Sequence, residues 1–139
     1  MEYRKEKDGY IVVLEIGDEI IGSLIEFARA ESIDGGVFTG IGALGEAEIG
    51  FFDLEKKAYR RKTIKMQREL ISLNGNFAFD GENPVVHAHV VLGGPDFVCE
   101  GGHLFRGIVS VTCEIEFRPK ARIDRDLEEK TGLKLWKLN

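Results

Sequence analysis

The chain has 139 residues, 43% hydrophobic and 31% charged, a balance that fits a folded globular protein and excludes a disordered one. Its net charge of −5 argues against the basic footprint of a nucleic-acid binder. No apolar run approaches the roughly 18 residues a membrane helix needs. Met1–Glu6 holds no apolar signal core, and two cysteines are too few for a secreted disulfide framework, so a cytoplasmic location is expected.

The predicted elements, in chain order, begin with a strand over Tyr10–Ile16 that ends at Gly17. Asp18 then suits an N-cap, and Glu19 suits the first turn of a helix. Apolar residues at Ile20, Ile21, Leu24, Ile25, Phe27 and Ala28 give that helix one buried face, running to about Glu31. From Val37 the pattern turns strand-like: 37–41, 46–53, 63–76, 85–92, 97–99 and 108–117. Turn chemistry at Asn74-Gly75, Asp80–Pro84 and Gly93–Asp96 separates several of these. Asp124–Thr131 reads as a short C-terminal helix stopped by Gly132. The alternating tail 133–138 pairs or packs at an edge. Together these predict one α+β domain over residues 1–139: a mostly antiparallel sheet, one principal N-terminal helix and a short C-terminal one.

Chemistry concentrates in the three histidines. His87-Ala88-His89 lies in a strand, where residues two apart share a face, so both imidazoles project together while Val86, Ala88 and Val90 point the other way. A hairpin through Gly93–Asp96 brings His103 back beside them. Gly101-Gly102, just before His103, predicts a bulge or the close approach of another backbone. Three imidazoles on one face suit zinc or another divalent transition metal with one position left open. Asp96 and Glu100 are candidate partners for the other ring N–H of an imidazole. The alternative is that the histidines line a polar interface or a hydrogen-bonded core.

Other features point elsewhere. Cys99 and Cys113 both sit in apolar runs and are expected to be buried, reduced thiols. The basic run Lys56–Lys62, with Arg118 and Lys120, reads as a solvated outer face. Gly40-x-Gly42-x-x-Gly45 matches a dinucleotide fingerprint in letters only, because a strand rather than a helix follows it. A tight turn or a closely packed backbone accounts for it better.

The sequence also resembles the PPC domain, a family shared by plants and prokaryotes and joined in plants to AT-hook segments. The matching pieces are Gly17-Asp18-Glu19-Ile20-Ile21, Gly40-Ile41-Gly42-Ala43, Leu70–Asn76, His87–Gly93 and Gly101-Gly102-His103-Leu104. The two histidine pieces are similar to stand-alone prokaryotic members. The resemblance implies a homotrimer with a largely antiparallel sheet, and it favours a metal on His87, His89 and His103. It also carries a DNA-binding label, yet the chain lacks the Arg-Gly-Arg-Pro hook of plant members. Three functions follow as expectations. The first is a trimeric metal-binding domain with room for a small-molecule ligand near the metal. The second is a DNA-binding, transcription-related protein. The third is a metal-dependent hydrolase with Glu100 or Asp96 as base.

Overall fold

The computed structural model describes residues 1–138. Nine strands form a single connected sheet: β1 (Glu2–Glu6), β2 (Gly9–Leu14), β3 (Gly36–Asp53), β4 (Ala58–Ile64), β5 (Arg68–Asp80), β6 (Asn83–Gly93), β7 (Cys99–Pro119), β8 (Asp124–Glu128) and β9 (Leu133–Lys137). The order is β1-β2-β7-β3-β5-β8-β9, with β4 added to β3. Strand β6 pairs with both β5 and β7, and β3 also pairs with both, so these four strands close a circuit.

One helix, α1 (Ile20–Ala30), covers the core. Its N-cap is Glu19 rather than Asp18. The Glu19 carboxylate accepts from the backbone N–H groups of Ile21 and Gly22, and from Gly107 on β7, which ties the helix start to the sheet. Asp18 instead accepts from the Glu15 N–H and pairs with the Met1 ammonium. The expected stripe is buried at Ile20, Leu24, Phe27 and Ala28. Phe27 meets Tyr10 and Phe117 edge-on at 5.1 and 5.3 Å, an arrangement that aromatic quadrupoles favour.

Two expectations are corrected. The class is mostly β rather than α+β with two helices, because Asp124–Thr131 forms no helix. Asp124–Glu128 instead pairs in continuous register with Leu133–Lys137, and Gly132, at φ +74°, sits in the turn between them. An Asp126–Lys137 ion pair and a bond from the Arg125 guanidinium to the Lys134 carbonyl reinforce the hairpin. These cross-strand partners outweigh the helix propensity of the isolated segment. The segments 37–41 and 46–53 are also one strand: β3 passes through Gly42 and Gly45 by shifts of register against β7. A Cβ on Gly42 would overlap the Thr112 carbonyl oxygen, so Gly42 serves a close backbone approach and not a turn, whereas Gly45 has room for a Cβ.

Candidate metal centre

Alternation along β6 sets the site. Ala88, Val90 and Leu92 are buried in the core, which leaves His87 and His89 on the opposite face. Strand β7 runs antiparallel beside β6 with His89 directly opposite His103. The glycine pair makes that juxtaposition possible. A Cβ on Gly101 would overlap the Val90 carbonyl, and one on Gly102 would crowd the Gly50 carbonyl on the far side. Strand β7 is therefore squeezed between β6 and β3 just before His103.

The three rings converge, with centroids 5.1 Å apart for His87–His89 and His87–His103, and 5.6 Å for His89–His103. One ring nitrogen from each lies within 4.8 Å of the others. His87 Nε2 and His89 Nε2 are 3.2 Å apart, close to the roughly 3.3 Å that two zinc-bound nitrogens span on a tetrahedron with bonds of about 2.0–2.1 Å. His103 Nδ1 is buried with no hydrogen-bond partner, which leaves a nitrogen for an ion or a water to satisfy. The donor set and this orphaned atom fit a divalent transition metal.

Burial and nearby cations shift two of the rings. Burial lowers His87 from the usual 6.5 to about 4, and the positive charge of Arg125 and the neighbouring His89 add to it. His103 is lowered to about 4 in the same way, by burial first, then by His87, His89, Arg61 and Arg125. Both imidazoles are therefore neutral at pH 7 and keep a lone pair for a metal.

Neither candidate carboxylate reaches the histidines. Glu100 is held by Lys62 and Arg68, and Asp96 accepts from the Val98 N–H within its own turn. Cys99 is exposed, contrary to the expected burial, whereas Cys113 is buried. The structure adds residues that the sequence pattern did not single out. Tyr59 and Phe105 pack against His103 at 5.0 and 4.6 Å, and Arg61 lies 3.7 Å over the Phe105 ring. On the other side Asn76 faces His87 across β5 and β6, and its Oδ1 accepts from Arg125 and from Trp136. A strand reading of Tyr59-Arg60-Arg61 could have found the first group. Nothing local marks Arg125.

Comparison with known proteins bears on this arrangement. The model of the Plants and Prokaryotes Conserved (PCC, or PPC) domain matches residues 1–118. The chain belongs to this family. Among solved structures, a plant- and prokaryote-conserved (PPC) protein from Pyrococcus horikoshii is 36% identical, with 94% of this chain and 91% of that one covered and a TM-score of 0.87. A metal-containing protein from Archaeoglobus fulgidus is 34% identical over 99% and 97% of the two chains, with a TM-score of 0.88. A protein from Bacteroides thetaiotaomicron described as a candidate DNA-binding protein is 32% identical over 98% and 96%, with a TM-score of 0.93. No curated protein matches. Among the described residues no helix of this PPC-domain chain is long and apolar enough to cross a membrane.

Proposed function

We propose that this PPC-domain chain is a single-domain, cytoplasmic, homotrimeric metal-binding protein that holds one divalent transition-metal ion, zinc foremost, on His87, His89 and His103. The convergence of three imidazoles, with a ligand nitrogen of each within 4.8 Å of the others, carries this reading. The metal-containing relative from Archaeoglobus fulgidus supports it. Neutral histidines leave an ion its full charge, which on binding would polarise whatever occupies the open position. The residues of this chain would hold that ion and shield one side of it with Tyr59 and Phe105.

Assembly is supported by an exposed apolar face away from the histidines. Ile41, Met66, Ile71, Phe97 and Val111 line a cleft of about 1020 Å³, and Phe97 is 94% exposed. An apolar surface of this kind is commonly covered by another protein surface. The two unpaired cysteines suit a reducing compartment.

The test is metal analysis of protein purified after zinc exposure. About one ion per chain is expected, with roughly 100-fold or more weaker binding in His87→Ala and His103→Ala. Metal-free wild type sinks the reading. A sedimentation mass equal to one chain contradicts the trimer. DNA binding is the second reading, favoured by the description of the Bacteroides relative. Much of the basic strand β4 is already neutralised, Arg61 by Glu48 and Lys62 by Glu100, which weighs against it. Retention on duplex DNA that is strong at low salt and lost at high salt would favour it instead.

A further inference from the structure

We infer that the open position of the histidine cluster takes a small oxyanion, a carboxylate or a phosphate, held by the guanidinium of Arg125. The inference rests on the metal reading above and names what the metal site binds.

Arg125 is half-buried yet makes no ion pair among the described residues. Its two protein partners, the Lys134 carbonyl and Asn76 Oδ1, are neutral acceptors at 2.9 and 2.6 Å. Its Nε is buried with no partner at all. Arginine carries five N–H donors, and beyond the two used here Nε and one hydrogen on each terminal nitrogen have no protein partner among the described residues. A charged group withdrawn from water costs free energy unless an opposite charge accompanies it. Folding of this segment has nonetheless fixed the guanidinium where no carboxylate meets it.

Its position tells what the missing anion lies against. Asn76, which anchors the guanidinium, is the direct cross-strand partner of His87. Side chains so paired stand about 5 Å apart, which brings the cation beside the His87 ring. Trp136 donates to the same Asn76 oxygen and fixes the anchor. Arg125 bears on both His87 and His103, whereas Arg61, which also bears on His103, is already paired with Glu48. A divalent ion on three neutral imidazoles adds further positive charge, and among the described residues no carboxylate pairs with Arg125. His89 is exposed, so the cluster opens to solvent on that side. A guanidinium on the His87 side of the cluster and a Lewis acid on the imidazoles would together select a ligand with two or more oxygens sharing a negative charge.

Cobalt(II) in place of zinc gives a visible spectrum that responds to the fourth ligand. Cobalt-loaded wild type is titrated with acetate and, separately, with inorganic phosphate. A saturable spectral change with at least one of them is expected, and the lower half-saturation concentration tells carboxylate from phosphate. In Arg125→Gln the same change should require roughly 10-fold more anion, while cobalt still binds one per chain. Arg125→Lys keeps the charge and the aliphatic stem, so it serves if the glutamine variant does not fold; several-fold weaker binding is expected from loss of the fork. No response of cobalt-loaded wild type to either anion overturns the proposal, as does wild-type affinity in the variants. Failure of wild type to bind cobalt at all is a separate outcome, which removes the metal reading and this inference with it.

Discussion

Strands β6 and β7 present two faces with opposite demands. Inward, Ala88, Val90, Leu92, Leu104 and Val109 are at most 3% exposed, and no polar or charged side chain is buried among them. Outward, within the same few residues, three imidazoles crowd together with one nitrogen left unsatisfied. The inner face is complete in itself, whereas the outer face is complete only with something added. Stability and ligand binding should therefore separate cleanly by mutation, even between adjacent residues.

The largest effect is expected on the inner side. Phe27→Ala removes a fully buried ring at the centre of an aromatic cluster and should lower stability by about 3–5 kcal/mol, read by urea unfolding. Gly101→Ala lies on the boundary between the faces. Its added methyl overlaps the Val90 carbonyl, so a loss of about 1–3 kcal/mol should come together with weaker metal binding, because β7 shifts where His103 is aimed. If metal affinity stays at the wild-type value while stability falls, the glycine pair does not position that ring.

The outer face should show itself through pH. In metal-free protein His87 and His103 titrate near 4, below the 6.5 of an unfolded chain. Between those values the unfolded state binds more protons, so stability rises with pH there. The contribution is fully present above about 6.5 and is lost as pH falls toward 4. A double His87→Gln, His103→Gln variant should flatten that slope in thermal unfolding, and an unchanged slope would break the comparison. The smallest effect is expected far from both faces. Lys137→Ala removes an exposed pair with Asp126 and should leave the urea-unfolding midpoint unchanged within error.

The inner face was legible because its signal is periodic. The stripe on α1 and the alternation through Val85–Leu92 follow from backbone geometry alone, and the same alternation put His87 beside His89. His103 needed only a hairpin, and Gly93–Asp96 announced one. What escaped depends on distant partners. Asp124–Thr131 carries acceptable helix formers, and only pairing with Leu133–Lys137 makes it a strand. That error hid Arg125, since a residue placed on a surface helix offers no reason to meet His87. Gly42 signals a turn as readily as a close approach, and the choice rests on where Thr112 lies. Cys99 looked buried from its apolar neighbours, but it sits at the exposed start of β7.

The C-terminal hairpin carries one more consequence. The family match ends at residue 118, so it contains all three histidines and excludes the guanidinium that arrives at position 125. Solved relatives nevertheless cover 98% and 99% of this chain, so the hairpin belongs to the shared fold although it lies outside the family model. On the anion proposal, exchanging the hairpin would change what is recognised and leave the imidazoles untouched. Two segments far apart in the chain would then set metal binding and anion selectivity independently, much as a lock is rekeyed by changing its cylinder while the bolt stays in the door.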